Sequence, residues 1–128
     1  HFKSVNDTYG HAAGDLVLKS AARCIAEHIR SSDFLGRIGG EEFSVFLPNT
    51  TLEDALKVAE KIRLALAALV IEPTAGVCLN ITASIGVADK QPGDQHFEEI
   101  QKHADMAMYE AKKAGRNRTC SFRELRAV

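Results

Sequence analysis

No run of apolar residues in this sequence approaches the ~18 positions that a bilayer span needs, and His1-Phe2-Lys3 has none of the features of a signal peptide. An excess of one charge is also missing. Sixteen Lys and Arg stand against seventeen Asp and Glu, so no global field draws the chain to a nucleic acid polymer or an anionic membrane, and any phosphate binding has to be local. Cysteine is scarce: Cys24, Cys78 and Cys120 are odd in number and widely spaced, unlike a disulfide framework or a metal knuckle. A reducing, cytoplasmic setting is expected, whether for a free protein or for the cytoplasmic part of a membrane-attached one. Repeats and low-complexity segments are absent, and so is a start methionine, which suggests a domain excised from a longer protein.

What is present suits one domain. At 128 residues and 45% apolar, the chain is long enough to bury roughly two-thirds of its unfolded surface around a single core. Leu18, Ala21, Ala22, Ile25 and Ile29 recur at helical spacing, which predicts a helix over Gly14 to Arg30. Phe34 to Ile38 and Phe43 to Leu47 form two short strands whose brief connection, Gly39-Gly40-Glu41-Glu42, forces an antiparallel hairpin. Thr51 and Asp54 open a second helix carried by Ala55, Ala59, Ile62 and Leu66, and Pro73 and Gly76 break the chain after it. Ile81, Ala83, Ile85 and Val87 alternate with Thr82, Ser84 and Gly86, the clearest strand pattern present. A turn at Gln91 to Asp94 leads to a third helix, from Phe97 through Ala111 to an exit near Gly115, and Arg118 to Phe122 is expected as a closing edge strand. Interleaved helices and strands with one hairpin imply an α/β composition in an α+β sandwich, helices covering a mixed sheet.

Gly39-Gly40-Glu41-Glu42-Phe43 carries the chemistry. Two carboxylates at a hairpin tip repel unless a cation shares them, and carboxylate oxygens are the ligands Mg²⁺ prefers; a solvated turn is the plainer alternative. Successive strand residues face opposite sides, so Glu41 and Glu42 should have different roles.

Gly39 to Phe43 is GGEEF, and further segments agree in order and spacing: Phe2-Lys3-Ser4-Val5-Asn6-Asp7-Thr8-Tyr9-Gly10-His11, Gly14-Asp15, Ala83-Ser84-Ile85-Gly86-Val87, Ala104-Asp105, Met108-Tyr109, Ala111-Lys112 and Gly115-Arg116-Asn117. On these the chain closely resembles the GGDEF family of diguanylate cyclases over nearly its whole length. The resemblance implies a ferredoxin-like fold akin to the palm of adenylyl cyclases and polymerases. It also implies a reaction in which Mg²⁺ or Mn²⁺ assists a 3′-hydroxyl attack on an α-phosphate, joining two GTP into cyclic di-GMP with release of pyrophosphate.

Residue by residue, Asn6 and Asp15 match the family's guanine-reading pair, where a carboxylate takes two adjacent donors that adenine lacks. Leu18 matches the apolar wall beside the base. A helix N-cap is the plain alternative for Asp15. Lys3, Lys112 and Arg116 match phosphate-contacting positions, and Gly39 and Gly40 belong to the substrate-binding turn; Lys112, without the family, would be a surface charge complementing a helix C-terminus. Glu41 matches the metal-binding glutamate. Glu42 matches a residue that either activates the attacking hydroxyl or supports a second metal. Arg30 and Asp33 form the family's RxxD product-inhibition motif, with Lys61 as a further cationic partner; the bland reading is a surface ion pair worth ~0–1 kcal/mol. His28 and His103 are expected on helices as boundary or surface residues, without a ligand role.

One part of the family pattern is not in the chain. An Asp-x-Asp strand, whose first Asp is a metal ligand, is expected immediately before the position of His1, together with a preceding helix; without them the fragment itself is expected to be inactive, and those residues are expected to precede the present sequence in its parent. The reading is a single GGDEF domain over 1–128 acting as a homodimer, attached to a sensor or output domain. The alternative from the family's degenerate members is a non-catalytic module that binds GTP or cyclic di-GMP, and a purely structural interaction domain is weaker still.

Overall fold

The computed structural model describes residues 7–39 and 41–123. Its backbone divides into two compact units, one built from residues up to Pro48 with Leu64–Ile81, the other from Asn49–Arg63 with the residues from Thr82 onward. Both mix helices with small two-stranded sheets, as the alternating pattern implied.

In the first unit, helix α1 spans His11–Ala26 and buries Ala13, Val17, Leu18, Ala21, Cys24 and Ile25 along one face. It begins at His11 rather than Gly14 because Gly10, at φ 91°, turns the chain into the helix without any side-chain cap. It stops at Ala26 rather than Arg30, although the apolar spacing runs on to Ile29. There the backbone amides of Glu27 and His28 reach Arg23 O and Ile25 O, and the His28 ring, through Nδ1, sits 2.8 Å from Cys24 O. A side chain thus meets a carbonyl left over at the helix end.

Strands β1 (Phe34–Gly39) and β2 (Glu42–Phe46) pair antiparallel as expected, from Phe34↔Phe46 to Arg37↔Phe43. The next pair is Gly39↔Glu42, so Ile38 is an extra residue on β1 that bulges out of register. A second hairpin, β3 (Val70–Thr74) with β4 (Val77–Asn80), lies where sequence spacing suggested only a break. Pro73 is compatible with it because the ladder shifts register between Ile71 and Thr74, so a missing N–H costs no ladder bond there. Gly76, at φ 84°, makes the turn, and its amide donates to Glu72 Oε1 at 2.9 Å. Helix α1 packs on β3, whose Ile71 is buried.

Helix α2 runs Leu52–Ala68, with its residues through Arg63 belonging to the second unit. Its start matches the capping pattern: the Asp54 amide donates to Thr51 Oγ1 at 3.2 Å, and Glu53 and Asp54 place negative charge on the first turn. The strand expected over Ile81 to Val87 shrinks to β5, Ile85–Val87. Alternation records which residues face inward, but a ladder also needs a partner, and β6 offers only Thr119–Ser121, paired parallel from Ile85↔Thr119 to Val87↔Ser121. Helix α3, Phe97–Lys113, connects the two strands and packs on both. Leu52, Ala59 and Val87 form a buried cluster with Ala55, Leu56 and Ile85 around it. His103 is half-buried, a boundary position, and stacks on Phe122 with ring centroids 4.0 Å apart and planes within 5°.

Gly86 sets how closely α3 approaches β5. A Cβ there would lie 2.0 Å from Ala104 O and 2.2 Å from Met108 N, both backbone atoms that cannot rotate away. Ala107 and Ala111, fully buried, keep the facing helix surface equally small. Gly86→Ala is expected to destabilise the protein by about 3 kcal/mol, the upper part of the usual overpacking range. The measurement is a urea unfolding midpoint at unchanged m-value; an unaltered midpoint would show that the strand and helix can separate without cost.

Candidate functional site

The GGEEF segment occupies the turn of the β1–β2 hairpin. Gly39 ends β1, Glu42 begins β2 opposite it, and Glu41 stands exposed in the turn while Glu42 is half-buried. Without the Ile38 bulge, Glu42 would pair one residue earlier on β1. The bulge thus re-aims the end of the hairpin, a use of bulges common beside active sites. Gly40, Lys3 and Asn6 lie outside the described residues.

Asp15 and Leu18 on α1 come together with the hairpin. With Lys19 and Ala22 of the same helix, Leu35 and Arg37 of β1 and Phe43 of β2, they line a concavity of about 340 Å³. Leu18 is buried at its wall, and Asp15 is exposed at its edge. Asp15 is not an N-cap: the helix starts at His11, which puts Asp15 in its second turn, and its carboxylate has no hydrogen bond or ion pair among the described residues. Sequence reasoning did not single out Lys19 or Arg37, and it read Phe43 only as the last residue of the GGEEF segment and the first of a strand. Arg37 and Phe43 are directly paired across the hairpin, and side chains of paired residues share a face, but that register follows from the Ile38 bulge and was not legible in the sequence.

Arg30 and Asp33 form a closed turn between α1 and β1, not the end of the helix. The Asp33 amide donates to Arg30 O at 3.0 Å, and the Arg30 amide donates to Asp33 Oδ2 at 2.7 Å. The guanidinium adds Nη2 to Asp33 Oδ1 at 2.9 Å and Nη2 to Pro48 O at 3.0 Å. The Asp33 side chain is only 2% exposed while that of Arg30 is 57% exposed, so the carboxylate is enclosed and the cation faces outward. Lys61 is exposed on α2, in the second unit.

Lys112 and Arg116 are joined through the end of α3. The Gly115 amide donates to Lys112 O at 3.3 Å and the Arg116 amide to Ala111 O at 3.0 Å, a Schellman closure with Gly115 at φ 124°. Lys112 is half-buried in the last turn and Arg116 is exposed just past it.

These features define an α+β domain with an acidic hairpin turn, a concavity against its first helix and a cationic helix exit. Residues 1–118 match the family described as diguanylate cyclase, GGDEF domain. The chain belongs to the GGDEF family. It is 44% identical over 119 residues to the probable diguanylate cyclase DgcC of Escherichia coli, covering 93% of this chain but only 32% of that protein, so it spans about a third of this relative's length. Among solved structures, the diguanylate cyclase SiaD of Pseudomonas aeruginosa, in complex with its activator SiaC, superposes with a TM-score of 0.87 at 39% identity, over 94% of this chain and 45% of that one. The GGDEF domain of DgcB from Caulobacter crescentus, in complex with c-di-GMP, gives a TM-score of 0.87 at 29% identity, over 96% of this chain and 72% of that one.

The Arg30–Asp33 turn has an electrostatic signature. The hydrogen bonds from Arg30 hold the Asp33 carboxyl below the ordinary aspartate range, outweighing the opposing effect of desolvation. A carboxyl depressed in the folded state stabilises the fold above its unfolded pKa, about 3.9, and loses that contribution as pH falls through its lower folded value. Asp33→Asn is therefore expected to be less stable than the parent at neutral pH, with the two unfolding midpoints converging in acid. A gap that stays the same at every pH would show that the charge on Asp33 contributes nothing.

Proposed function

We propose that the chain is a single GGDEF domain over 1–128 that works within its parent protein as a diguanylate cyclase, condensing two GTP into cyclic di-GMP. The observation carrying this reading is the Asp15 carboxylate, unpartnered among the described residues and standing beside buried Leu18 at a concavity lined by the GGEEF hairpin's own strands. An acceptor so placed suits the adjacent N1–H and N2–H donors of guanine, with Leu18 against the ring and Asn6 as second reader. Adenine would leave that acceptor unpaired. Lys3, Lys112 and Arg116 are the proposed phosphate contacts. At Arg116, past a Schellman closure, the exposed guanidinium is suited to bidentate phosphate recognition.

Diguanylate cyclases are generally metal-dependent. The described residues contain no cluster of three or more metal-ligating side chains. The donor chemistry still fits Mg²⁺ or Mn²⁺, because Mg²⁺ is commonly held by one or two carboxylates plus substrate phosphates, and Glu41 is an exposed carboxylate at the turn. When bound, the ion supplies charge stabilisation at the phosphates. In each half-reaction a 3′-oxygen forms a bond to the α-phosphorus of the other GTP, the bond from that phosphorus to the pyrophosphate oxygen breaks, and the hydroxyl proton leaves. Glu42, half-buried opposite Gly39, is the proposed group to receive that proton or to support a second ion. Two such bonds require two domains face to face, hence a homodimer, and the parent is proposed to carry a further sensor or output domain in the cytoplasm.

The parent protein with GTP and Mg²⁺ is expected to yield cyclic di-GMP and to prefer GTP over ATP. Asp15→Ala should narrow that preference by at least about tenfold, the value of a well-placed polar contact. Equal binding of ATP and GTP by the unmutated protein would exclude the assignment, and GTP binding without product would favour the non-catalytic module.

Arg30, Asp33 and Lys61 are proposed as the product site, and the outward-facing, half-exposed guanidinium of Arg30 supports it. Cyclic di-GMP offers phosphates and a guanine Hoogsteen edge to such a group. Arg30→Ala is expected to weaken product binding and relieve product inhibition together while the initial rate stays unchanged, which calorimetry and progress curves measure. Undiminished affinity for cyclic di-GMP would reduce the motif to the turn it forms.

A further inference from the structure

Past α3, Gly115, Arg116 and Asn117 all have positive φ, at 124°, 64° and 46°. Glycine adopts this region freely. Arginine and asparagine do so at a cost, and a run of such residues persists only where neighbours hold it. The Schellman closure holds Gly115 and the Arg116 amide. Asn117 is held from elsewhere in the same unit: Arg63 of α2 donates through Nη1 to Asn117 Oδ1 at 2.9 Å and to its main-chain oxygen at 3.3 Å.

Arg63 is itself locked. Its Nε lies 3.0 Å from both carboxylate oxygens of Glu60, one turn earlier, and Nη2 also donates to Glu60 Oε1. Glu60 Oε2 in turn accepts the Thr119 hydroxyl at 3.0 Å. One edge of the guanidinium is thus spent on orientation and its remaining nitrogen on Asn117, while Thr119 is tied to the same carboxylate and to β5 through the β6 ladder. The segment following Arg116 is gripped at both ends, and the Arg63 side chain is only 17% exposed. Lysine could not reproduce this, having no planar fork to serve two partners at once.

We propose that Arg63 is a positioning residue for phosphate recognition: by gripping Asn117 it fixes the left-handed Arg116–Asn117 step and so aims Arg116 at the nucleotide, which Arg63 itself does not touch. This rests on the reading of Arg116 as a phosphate contact. The test is a double-mutant cycle in the full-length protein, titrating a non-hydrolysable GTP analogue with Mg²⁺ into the parent, Arg63→Ala, Arg116→Ala and the double variant. Each single change is expected to weaken binding about tenfold, and the double variant to bind no more weakly than Arg116→Ala alone, because both remove one interaction. In turnover, Arg63→Ala should raise KM for GTP by a similar factor with kcat within about twofold, the mark of lost uniform binding. Arg63→Lys keeps the charge and part of the Glu60 contact; it covers the case in which the alanine variant does not fold, and it is expected to weaken binding as well. Unchanged affinity in the Arg63 variants, or losses that simply add in the double variant, would overturn the proposal while leaving Arg116 as a phosphate contact. Unchanged affinity in Arg116→Ala would overturn both.

Discussion

The constraint on which the second unit most depends is the absence of a side chain at Gly86. With backbone atoms of Ala104 and Met108 where a Cβ would stand, α3 lies directly on β5. Burial of Ala107 and Ala111 follows from that approach, and so does the course of the chain beyond the helix, since β6 must return to pair with the same three-residue strand. The cationic exit carrying Lys112 and Arg116 is thus set between a helix that cannot shift outward without opening a cavity and a strand whose register is given by β5. Close packing turns one missing methyl group into positional accuracy several residues away.

In the first unit accuracy comes from turn chemistry instead. The Arg30–Asp33 turn closes through reciprocal main-chain and side-chain hydrogen bonds and delivers the chain into β1. At the far end of that strand the Ile38 bulge brings Gly39 opposite Glu42 and leaves Glu41 in the turn. Between these two irregularities the regular ladder puts Leu35, Arg37 and Phe43 beside Asp15 and Leu18. The motifs most easily recognised in the sequence therefore sit at the ends of a strand whose middle builds the concavity, and Arg37, in that middle, belongs to no motif singled out in advance.

Legibility varied with how local the cause was. Thr51 before α2, the positive-φ glycine after α3 and the hairpin around positions 40 and 41 are decided by neighbours in the chain, and each was visible in residue type and spacing. The end of α1 was misplaced because apolar spacing continues to Ile29, while the helix yields where the His28 ring takes the Cys24 carbonyl. The β3–β4 hairpin was missed because Pro73 argues against a strand, an objection that a register shift removes. The long strand expected from Ile81 was cut short because alternation says nothing about the length of its partner.

Periodicity, turn residues and the GGEEF segment with its flanking motifs were enough by themselves to determine the α+β class, most of the elements and the family, because all of these are written in short-range order along the chain. Tertiary structure alone decided that Asp15 stands free of the helix cap, that Arg37 and Phe43 share its concavity, and that Arg63 reaches Asn117 across 54 positions of sequence. Those are facts about which surfaces meet once helices pack and strands find partners. Spacing along a chain carries no record of a hydrogen bond made between residues that only the fold brings together.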